Sequence, residues 1–285
     1  MKKKIILIIS ILFVFSILLK VKVNAQVDVS AKSAVLMNGN TGNILFSKSP
    51  NLRLPIASLT KIMTAILAIE SGDLNAEVTI SEEAANQPPS SLNLVAGDRL
   101  TLEDLLYGLI LQSGNDSAYA IAEYIAGNVD DFVKMMNQKA KTLSMSNTTF
   151  TNPSGLNVPD ENYSTAASVA KLMRYAMENE TFRTIAGTKN YQTSSAFGVP
   201  YDWNHKNRLV NQVDYVIAGK TGFTRAAGRT LASAAKKNGV NLIAVTLNDP
   251  NDWKDQLNMF KYGFGQFGID VPTPEIRSDE NENFD

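Results

Sequence analysis

Ser58 and Lys61 stand three residues apart in the stretch Pro55-Ile56-Ala57-Ser58-Leu59-Thr60-Lys61-Ile62-Met63-Thr64. From Leu59 to Ile69 the apolar residues fall on every side of a helical projection, which predicts a helix buried within a domain. A lysine inside such a helix must pair, reach solvent or lose its proton, because a desolvated, unpaired ammonium is costly. Ser58 lies one turn back on the same face, so the two could act as a nucleophile and the neutral amine that takes its proton. The same residues also fit a plainer arrangement, in which Ser58 caps the helix and Lys61 extends to water.

Two more polar groupings follow, Ser113-Gly114-Asn115 and Lys220-Thr221-Gly222. Each alone reads as an ordinary helix-ending turn or an exposed strand end. Other chemistries are closed by composition: without cysteine the chain has no disulfide, thiolate nucleophile or cysteine-bound metal. With one histidine, a zinc site built on several histidines is excluded, and a serine–histidine–aspartate site would have to use His205. His205 lies in the polar, aromatic loop Tyr201-Asp202-Trp203-Asn204-His205 with no partner motif, which favours a structural role. No metal and no organic cofactor is implied.

The elements that must position these groups can be read in outline. Ser33 to Met37 and Ile44 to Ser47 are short apolar runs around Asn38-Gly39-Asn40-Thr41-Gly42, a hairpin. The central helix ends at Gly72, and Ser81 to Gly97, broken by Pro88-Pro89, is expected to wander over the surface. Thr101-Leu102-Glu103-Asp104 opens a helix in capping-box style that stops at Ser113-Gly114-Asn115. Helices are expected from about Ser117 to Ala126, Asp130 to Leu143 and Thr165 to Glu178, with Phe150 to Asn162 a loop. A polar stretch with few signals precedes a strand at Tyr215 to Gly222. Arg229 to Ala235 and Val240 to Leu247 form its neighbours across Lys236-Lys237-Asn238-Gly239, and Asp249-Pro250 opens a last helix. Strands at both chain ends with helices between them predict an α/β (α+β) architecture, one antiparallel sheet built from both termini and a helical middle portion.

Met1-Lys2-Lys3-Lys4, the apolar run from Ile5 to Leu19 and the small residues at Val23 to Ala25 read as a secretory signal, residues 1–25, cleaved after Ala25. Removing it takes away five lysines and no acids, which leaves 22 basic against 28 acidic residues and a formal charge of −6. That charge argues against a nucleic-acid partner. Residues 26–270 are expected to be one catalytic domain and 271–285 a disordered acidic tail.

The three groupings occur in the order expected of penicillin-recognising serine enzymes. The chain resembles the serine-type D-alanyl-D-alanine carboxypeptidases, the low-molecular-mass penicillin-binding proteins. The likeness lies in Pro55 to Thr64, in Ser113-Gly114-Asn115-Asp116, in Asn152-Pro153-Ser154-Gly155-Leu156, in Tyr163-Ser164-Thr165-Ala166 and in Gly219-Lys220-Thr221-Gly222-Phe223-Thr224. It runs from about Ser33 to Phe267 and implies a serine β-lactamase/DD-peptidase-like fold acting on the D-Ala-D-Ala end of peptidoglycan stem peptides.

By that resemblance Ser58 is the nucleophile, Lys61 its base and Ser113 the proton relay to the leaving amine. Asn115 would bind the acyl amide or orient Lys61, and the N–H groups of Ser58 and Phe223 would form the oxyanion hole. Lys220 and Thr221 would meet the substrate carboxylate, Gly222 would let the substrate lie close, and Arg229 would add a carboxylate contact, with Arg225 the other arginine nearby. β-Lactam antibiotics would acylate Ser58 and inhibit. A class A β-lactamase needs a glutamate to position the deacylating water, and Glu161 in Pro159-Asp160-Glu161-Asn162-Tyr163 lacks the expected leucine–asparagine continuation. Many relatives carry a second, β-rich domain and a membrane-holding helix. Almost nothing follows Phe267 here, so the resemblance implies a lone exported catalytic domain, secreted or held at the outer membrane face by a retained N-terminal segment. Endopeptidase action on cross-links, and a silent penicillin-binding sensor, are the competing functions.

Overall fold

The computed structural model describes residues 27–156 and 161–277. The expected signal (1–25), Pro159, Asp160 and the tail from 278 onward lie outside the described residues.

The strands β1 (Ser33–Asn38), β2 (Ile44–Lys48), β9 (Val216–Thr224), β10 (Gly228–Lys237) and β11 (Val240–Leu247) form the five-stranded antiparallel sheet that carries the fold, in the order β2-β1-β11-β10-β9. Short pairs stand apart from it, β3 (Leu54–Pro55) with β6 (Tyr163–Ser164) and β4 (Glu77–Thr79) with β5 (Arg99–Thr101). Both chain ends therefore meet in one sheet, with β1 paired to β11 from Ser33 opposite Leu247 to Asn38 opposite Leu242. The tight β10–β11 turn uses left-handed backbone at Asn238 and Gly239, which two-residue hairpins favour.

Alternation splits the apolar residues of these strands between two cores. Val35, Met37, Ala232, Ala234, Ile243 and Val245 face the helical middle of the chain, while Ala34, Leu36, Leu231, Ala235, Leu242 and Ala244 face the other side. On that other side lies the last helix, Asp252–Gly265, through Leu257, Met259, Phe260 and Phe264. It starts at Asp252, so Pro250 precedes the helix rather than occupying its first turn. Val271 is buried against the same core and the Tyr215 hydroxyl donates to the Pro272 carbonyl, so residues 271–277, expected in the acidic tail, pack on the domain.

The central helix, α1, runs from Thr60 to Ser71 after a 3-10 turn at Ala57–Leu59, and every residue from Thr60 to Ala68 is buried. Its all-round burial matches its all-round apolarity. Behind it pack α3 (Leu102–Leu111), α4 (Asn115–Ala126) and α6 (Ala166–Glu178). The Thr101 capping box forms as its sequence predicts.

Two expectations are corrected. Residues 81–97 do not merely wander over the surface: they hold α2 (Glu82–Ala85), and Leu92 and Leu94 are buried because Asp116 ties the segment down. The weakly patterned stretch before β9 is ordered as α7 (Glu180–Gly187), the hairpin β7 (Asn190–Ser194) and β8 (Pro200–Asn204), and α8 (Arg208–Gln212). Tyr191 stacks on Tyr107 and Trp203 packs into the main core, so tertiary contact stabilises a hairpin whose own sequence is polar.

Candidate active site

The Ala57–Leu59 turn holds Ser58 just ahead of α1, with Ala57 in left-handed backbone at φ 47°. Lys61, in the first turn of α1, is fully buried, and its Nζ lies 3.0 Å from Ser58 Oγ. Two more oxygens meet the same nitrogen, Asn115 Oδ1 at 2.7 Å and the Ser154 carbonyl at 2.7 Å. Asn115 Nδ2 donates 2.8 Å to the Pro88 carbonyl, which fixes Oδ1 as the atom facing Lys61.

As an ammonium Lys61 donates to all three oxygens, and the same places serve the neutral amine it becomes on losing a proton. Its two N–H bonds satisfy Asn115 Oδ1 and the Ser154 carbonyl, and its lone pair is left for the Ser58 hydroxyl proton. Burial pushes the Lys61 pKa down to about 7, with the positive charge of Lys206 adding to the fall and Asp116 opposing it. The snorkelling alternative for Lys61 is ruled out by its burial.

Ser113 sits between α3 and α4 in left-handed backbone, φ 64°, and is nearly buried. Asn115 follows as the first residue of α4, expected to begin at about Ser117. A side chain at Gly114 would drive into Leu92 Cγ at 2.6 Å, which explains the glycine. Asp116, fully buried, accepts from Ser91 Oγ and from the Leu92 and Leu94 amides, and so holds the segment carrying Pro88. It is the fourth residue of Ser113-Gly114-Asn115-Asp116, a place that gives it no task until the fold brings in its partners.

Lys220 is buried on edge strand β9 and donates 2.8 Å to the Thr221 carbonyl. Burial lowers its pKa well below that of a free lysine, and the charges of Lys61 and Lys206 lower it further. Gly222 abuts the nucleophile turn: a Cβ there would stand 2.9 Å from Ser58 N and 2.5 Å from Thr230 Oγ1. Phe223, next along the strand, is half exposed.

Arg229 pairs in register with Phe223. Its Nε lies 3.0 Å from Asp252 Oδ1 and its guanidinium covers the Trp253 ring, because the buried Asp252 carboxylate needs a cation. In this geometry the guanidinium serves the junction with the last helix rather than the carboxylate contact expected of it. Arg225 is exposed on the turn after β9. The cation that sequence reading missed is Lys206, whose amide donates to the Leu111 carbonyl and whose Nζ lies 3.4 Å from Ser90 Oγ. It lay in a stretch without a motif, so only the folded arrangement brings it near Lys61 and Lys220.

His205, beside it, is buried and neutral. Its Nδ1 accepts from the Asn207 amide at 2.9 Å and Nε2 faces the Ala186 carbonyl at 3.2 Å, as the structural reading expects.

Residues 20–251 match the family described as D-alanyl-D-alanine carboxypeptidase. The D-alanyl-D-alanine carboxypeptidase DacF of Bacillus subtilis is 36% identical over 245 residues, 83% of this chain and 63% of that relative's length. A D-alanyl-D-alanine endopeptidase of Escherichia coli is 32% identical over 218 residues, 73% of this chain and 67% of the relative. Among solved structures, a D-alanyl-D-alanine carboxypeptidase of Mycobacterium tuberculosis superposes with a TM-score of 0.79 at 30% identity, covering 84% of this chain and 92% of that one.

Proposed function

The chain belongs to the D-alanyl-D-alanine carboxypeptidase family of serine peptidases, and from that membership we propose that it removes the terminal D-alanine of peptidoglycan stem pentapeptides through an acyl-enzyme on Ser58. The observation that carries the assignment is Lys61 Nζ, buried 3.0 Å from Ser58 Oγ and fixed there by the Asn115 Oδ1 and Ser154 carbonyl acceptors.

Ser58 Oγ bonds to the carbonyl carbon of the penultimate D-alanine and gives its proton to Lys61. The C–N bond to the last D-alanine breaks, and the leaving nitrogen receives a proton through the Ser113 hydroxyl. Water then attacks the ester, and its proton restores the Ser58 hydroxyl. The Ser58 and Phe223 amides flank the developing oxyanion; the close passage of Gly222 against Ser58 N supports that pairing. Lys220 and Thr221 receive the terminal carboxylate, with Lys220 also polarising Ser113. Asn115 has a second task in binding the acyl amide.

β-Lactams acylate the same oxygen: the Oγ–carbonyl bond forms, the ring C–N bond opens and the ring nitrogen takes the proton. Glu161 lacks the leucine–asparagine continuation of the deacylating glutamate in class A β-lactamases, so the adduct persists. The substrate places the protein outside the cytoplasmic membrane. Residues 1–25 supply the export signal, and retaining them holds the domain at the outer membrane face.

Release of D-alanine from diacetyl-Lys-D-Ala-D-Ala by protein lacking residues 1–25, lost in Ser58→Ala, is the expected result. A folded wild type that releases none and takes up no labelled penicillin rejects the proposal. Endopeptidase action on cross-links is the second reading, favoured by the likeness to the Escherichia coli endopeptidase. Cleavage of a purified cross-linked dimer faster than of the tripeptide would select it.

A further inference from the structure

Behind Lys61 lies a hydrogen-bonded framework that the reaction scheme leaves unused. Asn162 is buried, and its Oδ1 accepts from the Thr151 amide at 2.7 Å, the Thr151 hydroxyl at 2.9 Å and the Asn152 amide at 3.3 Å. Its Nδ2 donates to Thr60 Oγ1 and to the Asn152 carbonyl, both at 2.9 Å. Its own carbonyl accepts from the Ile56 amide, at the entrance to the turn bearing Ser58. One side chain thus joins the residue before Lys61 to the 151–155 loop, while its backbone holds the approach to Ser58.

The loop in turn is built to present one oxygen. Asn152 Oδ1 accepts from the Ser154 amide and hydroxyl, both at 3.2 Å, and from the Gly155 amide at 2.7 Å. Thr64, one turn beyond Thr60, donates 2.6 Å to the Pro153 carbonyl. Gly155 has φ 85° and passes so close to the Ala57 carbonyl that no Cβ fits. All of this aims the Ser154 carbonyl at Lys61 Nζ.

A neutral amine needs two fixed acceptors to point its lone pair. With Cε and one N–H, toward Asn115 Oδ1, fixed, the other N–H and the lone pair can still exchange places, so the second acceptor decides whether the lone pair meets Ser58. We propose that Asn162 is a positioning residue for the general base: through the 151–155 loop it sets the Ser154 carbonyl against Lys61 and thereby aims the amine at Ser58. The proposal rests on the carboxypeptidase reading of Ser58 and Lys61 and assigns a task to the Asn152 to Leu156 motif, which that reading leaves without one.

Stopped-flow acylation by a penicillin separates the limiting acylation rate from the dissociation constant of the prior complex. Asn162→Ala and Thr64→Val are compared with wild type from about pH 5 to about pH 9, a range that brackets the transition of the base. Asn162→Ala should lower the limiting rate on the order of 10- to 100-fold with the dissociation constant unchanged. Water replaces the Ser154 carbonyl when the loop retreats, which relieves the burial of Lys61, so the acid limb of the profile should move up by about 0.5–1 pH unit.

A folded Asn162→Ala protein with wild-type limiting rate and acid limb, altered only in melting temperature, overturns the proposal. Should Asn162→Ala not fold, Thr64→Val decides, since it removes only the Pro153 tether: a several-fold slower limiting rate supports the proposal and a wild-type rate overturns it. Failure of wild type itself to be acylated overturns instead the carboxypeptidase reading.

Discussion

Lys61 and Lys220 are both withdrawn from water, and the charge on Lys61 lowers the pKa of Lys220. Burial first, and then the charge of Lys206, makes Lys61 an amine that titrates near neutrality. Acylation by penicillin should therefore rise as one proton is lost through about pH 7, the Lys61 value. Lys61→Arg, which cannot be deprotonated there, should abolish the reaction at every pH. An acylation rate flat across that interval would remove Lys61 as the base. The same shift has a sign for stability: between about 7 and 10.5 the unfolded chain holds a proton on Lys61 that the fold does not, so this group makes stability rise with pH across that window.

Lys206 sets part of that shift from the rim. Its charge lowers the Lys61 pKa, so Lys206→Ala should raise it and carry the acid limb of the acylation profile to higher pH, whereas Lys206→Arg should leave the limb in place. Lys206 is exposed, so the difference between wild type and Lys206→Ala should shrink at about 0.5 M salt. An unmoved limb in Lys206→Ala at low salt would show that burial alone tunes the base.

What the sequence made legible follows from how each element is stabilised. The Thr101 capping box, the all-apolar α1 and the Asn238-Gly239 turn are local patterns, and each forms where the pattern stands. Ser58 and Lys61 stand out by residue type and spacing, whereas Ser113, Asn115 and Lys220 stand out through the resemblance to the serine carboxypeptidases. The hairpin at Asn190–Asn204 was missed because its stability comes from Tyr107 and the core around Trp203, far off in sequence. The tasks of Asp116, Asn162 and Lys206 are hidden for the same reason: Leu92 and Leu94 lie 24 and 22 residues from Asp116, Thr60 lies 102 from Asn162 and Ser90 lies 116 from Lys206. Arg229, expected to contact the substrate carboxylate, also has a structural partner that its sequence neighbourhood does not reveal, the buried Asp252.

Ser113 occupies left-handed backbone that costs a non-glycine residue about 1–2 kcal/mol. Ser113→Gly relieves that cost and removes the hydroxyl we propose as the proton relay. Its melting temperature should rise above that of Ser113→Ala while D-alanine release falls in both, on the order of 100-fold. Retained turnover in both variants would take Ser113 out of the relay.

His205 should sense acid without taking part in the reaction. Burial first, then the charge of Lys220, pushes its pKa down to about 4, against the accepting carbonyls of Ala186 and Gly219. Between about 4 and 6.5 the unfolded chain binds a proton that the fold refuses, so stability falls as pH drops through that window, by up to about 3 kcal/mol for the full shift. His205→Gln offers an acceptor for the Asn207 amide and a donor for the Ala186 carbonyl but no titrating group. Urea unfolding of wild type at about pH 7 and about pH 4.5 should show that loss, and the variant should lose less over the same interval. Its penicillin acylation at neutral pH should stay within a few-fold of wild type, since the neutral ring only braces the turn that carries Lys206. Equal acid sensitivity of the two proteins would place the titrating group elsewhere.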